Sequence, residues 1–209
     1  MTSDSAIRTA VPLAACTIAP SRGLDCYMTP AWVIHALLEA HRLPDGPVVE
    51  PAAGDGALVA ALASQGRRVI AVDVRPEAVE ASLAAGAERG LCGDWLTLGE
   101  DAIQHYEPAA IVANPPYSRA QEFAEVCLAP LTAPGSLKCV ALLLRLGFMA
   151  GQKRAAFWRR HPLTALYPLG KRPSFTADGR TDATDYGWFV WERGAKALRM
   201  AVLLPGGAR

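Results

Sequence analysis

Short apolar runs that stop abruptly at polar or glycine residues, each followed by a stretch of helix length, constrain this chain more than anything else. Pro47-Val48-Val49-Glu50, residues 68–73, Leu91-Cys92, residues 109–113 and residues 138–144 read as strands. Between them, residues 32–43, the segment from the Ala52 turn to about Ser64, residues 76–87 and residues 118–128 carry apolar side chains at helical spacing. Strands alternating with helices at this interval specify βαβ units and a doubly wound, Rossmann-like parallel sheet. Later come a basic stretch (151–160), a short run at 164–167 and two further strand-like segments, 186–192 and 197–204. Residues 1–22 lack this order and read as a flexible arm, leaving 23–209 as one α/β domain.

Hydrophobic residues make up 51% and charged residues 20%, enough for a sizeable core, and no run of about 18 apolar residues exists to form a spanning helix. A membrane partner is therefore not expected. The five cysteines (Cys16, Cys26, Cys92, Cys127, Cys139) are odd in number and lack CxxC spacing, and the four histidines are scattered. This pattern points away from a disulfide framework or a metal site, and towards a reducing cytoplasm. The net charge of +1 conceals an asymmetry. Residues 1–137 hold 8 Lys and Arg against 16 Asp and Glu, and residues 138–209 hold 13 against 4. A basic C-terminal portion suits an anionic partner such as nucleic acid, although solvated arginines would give the same count.

Ligands of doubly wound sheets lie beyond the C-terminal strand ends, where strand order reverses. The first strand runs into Glu50-Pro51-Ala52-Ala53-Gly54-Asp55-Gly56. Its glycines permit close backbone approach, but Val59 stands where a dinucleotide fingerprint needs Gly or Ala. Asp73 closes the second strand, where a carboxylate can accept from a ribose diol, and Val74 follows it. After the third strand, Gly93-Asp94-Trp95 offers an acceptor and an aromatic face suited to an adenine.

Asn114-Pro115-Pro116-Tyr117 follows the fourth strand. The prolines fix the backbone, so that the Asn114 amide oxygen and the Pro115 carbonyl form two placed acceptors. Two acceptors on both hydrogens of an exocyclic amine draw its nitrogen towards tetrahedral geometry and expose the lone pair, and Tyr117 supplies a stacking face. This chemistry is placement plus proximity and needs no general base of shifted pKa.

These motifs, in this order, resemble the class I S-adenosylmethionine-dependent methyltransferases that act on amino groups. Tyr27-Met28-Thr29-Pro30 resembles the segment that closes over methionine in N6-adenine DNA methyltransferases, and the motif order is that of their gamma group. The stretches Arg172-Pro173-Ser174-Phe175 and Asp185–Trp191 are similar to small phage or prophage DNA adenine methyltransferases. The resemblance implies a seven-stranded sheet with the last strand antiparallel, and S-adenosyl-L-methionine as cofactor. By it Tyr27, Thr29, Pro30, Glu50, Pro51, Ala53, Gly54, Gly56, Asp73, Val74, Asp94, Trp95 and Asn114 line the cofactor. Asn114, Pro115, Pro116 and Tyr117 are catalytic. Phe175 is either a second stacking residue or a core residue. Lys153, Arg154 and Arg172 would meet the substrate, with Phe157 and Trp158 either stacking on it or turned inward.

Relatives with this motif also methylate RNA bases or a protein glutamine, so DNA is favoured over these rather than singled out. No long target-recognition region follows Asn114–Tyr117, so recognition is short, or comes from a homodimer or a partner subunit.

Overall fold

The computed structural model describes residues 28–175, 179–195 and 197–206. The arm at residues 1–22, with Cys16, and also Cys26 and Tyr27 lie outside the described residues. Among the described residues no helix is long and apolar enough to cross a membrane.

In chain order the elements are α1 (Ala31–Ala40), β1 (Val48–Glu50), α2 (Ala57–Ser64), β2 (Val69–Asp73), α3 (Pro76–Ala84), β3 (Arg89–Cys92) and α4 (Trp95–Tyr106). They continue with β4 (Ala110–Ala113), α5 (Ala120–Leu128), β5 (Cys139–Arg145), α6 (Ala155–Arg160), β6 (Ala165–Pro168), β7 (Tyr186–Glu192) and β8 (Arg199–Met200). The sheet order is β3-β2-β1-β4-β5-β7-β6-β8. Strands β1 to β5 are mutually parallel, and β7 runs antiparallel to both β5 and β6.

The expected α/β sheet is therefore present with one difference. It has eight strands rather than seven, and the antiparallel strand is β7, not the last. β8 is a two-residue edge piece parallel to β6, extended by a bridge from Leu169 to Leu203. The segment 197–204 was expected to form a full strand. Only its odd-numbered residues bond back, with Arg199, Ala201 and Leu203 donating to Thr164, Leu166 and Pro168.

Alternate residues of each strand enter one of two cores. Val48, Val69, Ala71, Ala110, Val112 and Leu143 pack under α1 and α2, whereas Val49, Ile70, Ile111, Val140 and Leu142 pack under α4, α5 and α6. Burial on both faces explains why the central strands read as continuous apolar runs. Cys127 and Cys139 are free thiols buried in these cores, and burial pushes the Cys127 thiol up to about 12. The Cys92 Sγ lies 3.8 Å from the Val74 carbonyl oxygen.

Candidate active site

β1 lies between β2 and β4, so strand order reverses there, and the carboxyl ends of β1 and β4 flank the position where such sheets form their ligand crevice. Glu50 ends β1 and Asn114 directly follows β4.

The turn after β1 is built on two glycines with different tasks. Gly54 and Gly56 both have positive φ, +59° and +81°. A Cβ on Gly56 would lie 3.0 Å from Ala85 Cβ and 3.2 Å from the Ala81 carbonyl, so this glycine lets α2 and α3 approach each other. A Cβ on Gly54 would meet nothing closer than the Ala52 carbonyl at 3.9 Å, so its surroundings are open. Pro51 and Ala53 are buried beneath the turn, and the Ala53 N–H donates to the Val72 carbonyl.

Glu50 is buried, and its Oε2 has no hydrogen-bond partner. Burial, reinforced by the charges of Asp55 and Asp73, pushes its carboxyl well above the usual range, against a hydrogen bond from the Val59 backbone. An acid in this state fits a cationic ligand group.

Asp73 is at the predicted strand end but is fully engaged. Its Oδ2 accepts from the Gly54 N–H at 2.9 Å and from Arg75 Nη2 at 3.2 Å. Its Oδ1 accepts from the Arg75 backbone N–H and from Arg75 Nε, each at 3.0 Å. A carboxylate has about four acceptor sites, so a ribose could take this one only by displacing the Arg75 guanidinium. Val74, next along, is half-buried.

Asp94 behaves similarly. One oxygen caps α4 by accepting from the Leu96 N–H at 3.0 Å, and the other accepts from Arg119 at 3.1 Å. Trp95 does not offer the aromatic face read from the sequence. It is 2% exposed, with its ring in the core beside Gly99 and Phe123. Helix α4 begins at Trp95, and its first turn carries the indole inward rather than along the crevice.

Asn114 joins the two halves of the site. Its Nδ2 donates to Thr29 Oγ1 at 3.0 Å, and its Oδ1 is buried with no partner. In sequence Thr29-Pro30 reads as a helix start with the threonine hydroxyl free to cap it. The cap position is Pro30 without a side-chain cap, and the hydroxyl is spent on Asn114 instead. Pro115 is buried, and the Pro116 carbonyl accepts from the Arg119 N–H to start the single turn Tyr117–Arg119.

Tyr117 projects into an aromatic group. Its ring centroid lies 6.2 Å from Phe175 and 5.3 Å from Tyr186, with the Arg145 guanidinium over the ring at 5.0 Å. Phe175 is a buried core residue and a neighbour of Tyr117 at once. Burial and the Asp182 carboxylate push the Tyr186 hydroxyl up to about 12, and it donates to Asp182 at 2.6 Å.

The basic segment divides by chemistry. Phe157 is buried, and Trp158 stacks on Phe189 and Trp191, so both aromatics serve the core. Lys153 is exposed. Arg154 donates to the Ala150 carbonyl at 2.8 Å and lies over Phe148. Arg172 pairs with Asp185 at 2.8 Å. Sequence reasoning missed three arginines at the crevice, namely Arg75, Arg119 and Arg145. The only signals were proximity in sequence to Asp73 and Tyr117, and a single cation closing an otherwise apolar strand.

No protein-family model matches the chain, and no curated protein matches it in sequence. Solved structures do match in fold. A Pyrococcus horikoshii protein described as a candidate RNA methyltransferase aligns with a TM-score of 0.61 at 15% identity, over 90% of this chain and 97% of that one. The 23S rRNA methyltransferase ErmE aligns at 0.55 and 18% identity, over 83% and 71%. The M protein of the type I restriction enzyme EcoKI aligns at 0.55 and 14% identity, over 78% of this chain and 42% of that one. This chain has the fold of these methyltransferases. At such identities the likeness concerns the sheet and its helices, and the chemistry rests on the chain's own residues.

Proposed function

We propose that this protein transfers a methyl group from S-adenosyl-L-methionine to the exocyclic N6 amine of adenine in nucleic acid, with DNA the favoured polymer. The observation that carries the reading is the buried, unpartnered Asn114 Oδ1, whose amide is held by Thr29. A buried acceptor left without a donor costs about 1–3 kcal/mol, and an incoming amine N–H removes that cost. The Pro115 carbonyl, on rigid backbone, is the second acceptor. Tyr117 gives the base an aromatic surface. The shared fold with methyltransferases of RNA and of a restriction system supports the reaction class.

The residues present fit the cofactor. Gly54 borders open space, Glu50 keeps an unpartnered acid oxygen, and Asp73 and Asp94 are carboxylates at adjacent strand ends. When bound, S-adenosyl-L-methionine supplies an activated methyl group on a sulfonium. Glu50 would hold the positive end of its amino acid portion, and Asp73 and Asp94, which now carry Arg75 and Arg119, would hold ribose and adenine. An adenine in duplex DNA must be flipped out to reach Asn114.

The test is incubation with labelled S-adenosylmethionine and, in parallel, unmethylated DNA, RNA and protein extract, followed by nucleoside analysis. N6-methyladenine in DNA is the expected product. Label confined to RNA or protein would overturn the choice of polymer, and no label in any of them would overturn the reaction.

A further inference from the structure

The sheet ends differently on its two sides. At the β3 edge the chain enters through Glu88 and Arg89, with Glu88 paired to Arg68. Charges at an edge discourage a further strand. The opposite edge is β8, and it has no such protection. Between Ala197 and Gly206 the only charged residue is Arg199, whose guanidinium is turned back onto Glu192. Leu198, Met200, Val202 and Leu204 alternate along this segment and are 58%, 70%, 56% and 45% exposed.

The backbone has the same alternation. Arg199, Ala201 and Leu203 donate to the carbonyls of Thr164, Leu166 and Pro168, and the Leu203 carbonyl accepts from the Gly170 N–H. Successive residues of an extended chain direct their N–H and C=O groups to opposite sides. Those of Leu198, Met200, Val202 and Leu204 therefore point away from β6, along the open edge. Gly170 shapes the same edge. A Cβ there would lie 2.6 Å from Leu204 Cδ2 and 2.9 Å from Val202 Cγ1, so the absence of a side chain lets both lie against the end of β6. The edge thus offers a row of backbone donors and acceptors with an apolar side chain at every step, which is the surface that an added β-strand reads.

We propose that this edge pairs with the same segment of a second copy, antiparallel, about a two-fold axis at Ala201. A two-fold interface requires a self-complementary surface, and this segment is one. With the axis at Ala201, Leu198 of each copy opposes Leu204 of the other, and Met200 of each opposes Val202 of the other. Every outward N–H and carbonyl then meets a counterpart, and every apolar side chain an apolar neighbour. An axis at Met200 or Val202 leaves Leu204 or Leu198 unopposed by the row. Ala201 meets its own copy in a non-hydrogen-bonded pair, where Cα atoms approach to about 4.5 Å and a methyl group fits. The four side chains form a patch on the order of 400 Å² per copy, small for a permanent interface. The pair is therefore a reversible dimer that also depends on its backbone ladder. Because the two sheets meet antiparallel, their candidate sites lie at opposite ends and each is built wholly by its own copy. The inference is independent of the function proposed above.

The experiment is sedimentation velocity of the full chain from about 1 to 200 μM, comparing the wild type, Met200→Lys and Met200→Pro, with melting curves at low concentration as the check on folding. Met200→Lys places a charge in the apolar row, and Met200→Pro removes an outward N–H that β6 does not use. The wild type should pass from monomer to dimer as concentration rises, and each variant should move that midpoint up by at least about tenfold. Ala201→Cys should link two copies on mild oxidation, since Cα atoms about 4.5 Å apart lie within disulfide range. Met200→Cys should link no better than the wild type oxidised in parallel, because its own copy lies beyond that range.

A wild type that stays monomeric overturns the inference and leaves the edge to a different strand. A dimer unmoved by both Met200 variants overturns it by placing the interface elsewhere. Linkage through Met200→Cys as efficient as through Ala201→Cys overturns the register.

Discussion

Asn114 is held by Thr29. The two residues are 85 positions apart, yet the Asn114 Nδ2 donates to the Thr29 hydroxyl at 3.0 Å and leaves the amide oxygen buried and unpartnered. Under the proposed function, this bond decides which end of a nearly symmetrical amide is offered to the target amine. Thr29→Val keeps the shape and removes the acceptor. Its kcat should fall by roughly 10- to 100-fold, the usual effect of misplacing a reacting group. Thr29→Ser should recover most of the rate. A Thr29→Val enzyme with wild-type kcat would show that the bond has no part in orienting Asn114.

Glu50 sets stability against binding. Its folded-state pKa is raised, first by burial, so its contribution to stability is complete below the unfolded carboxyl value near 4.5 and is lost as pH rises through the folded value. The ligand-free protein should therefore lose stability as pH increases above about 4.5. Glu50→Gln should abolish this component and raise Tm at neutral pH while weakening cofactor binding. Melting curves from pH 4 to 8 and a cofactor titration check both effects, and a lower Tm in Glu50→Gln would reverse the sign argued here.

The two glycines of the first turn should separate in their effects. Gly54→Ala strains a left-handed residue by about 1–2 kcal/mol without a clash, so cofactor affinity should suffer more than folding. Gly56→Ala adds contacts of 3.0 and 3.2 Å to the same strain and should be the more destabilising change. Denaturant unfolding beside cofactor titration distinguishes them, and equal loss of stability in both would contradict the division.

Arg75 occupies the Asp73 carboxylate, which the proposed function gives to ribose. Arg75→Ala should tighten S-adenosylmethionine binding a few-fold by freeing Asp73, with dissociation constants from calorimetry as the check. Weaker binding would mean that Arg75 orients Asp73 for the ligand instead of competing with it.

Much of this site was legible because its landmarks end strands. The apolar runs placed Glu50, Asp73 and Asn114 at the carboxyl ends of strands, and in the structure they stand at the ends of the neighbouring strands β1, β2 and β4. Contacts that join distant segments were not legible. Thr29 reads as a helix cap from its neighbours, and nothing local reveals that its hydroxyl turns to Asn114. Trp95 beside Asp94 suggests a ligand face, but the helix phase set by the Asp94 cap sends the indole inward. Phe157 and Trp158 sit among arginines in sequence and among Phe148, Phe189 and Trp191 in space. The arginines on Asp73, Asp94 and Tyr117 are ordinary surface charges until the fold brings them over the crevice.

The central claim is that the Asn114 amide oxygen receives the target amine. It is tested most directly by single-turnover methyl transfer to adenine-containing DNA and RNA by the wild type and Asn114→Ala, with cofactor affinity measured on the same samples. The account predicts N6-methyladenine from the wild type, and a loss of about 100- to 1,000-fold in the variant, the scale for removing one placed polar group, with cofactor binding retained. Wild-type transfer by Asn114→Ala would contradict it.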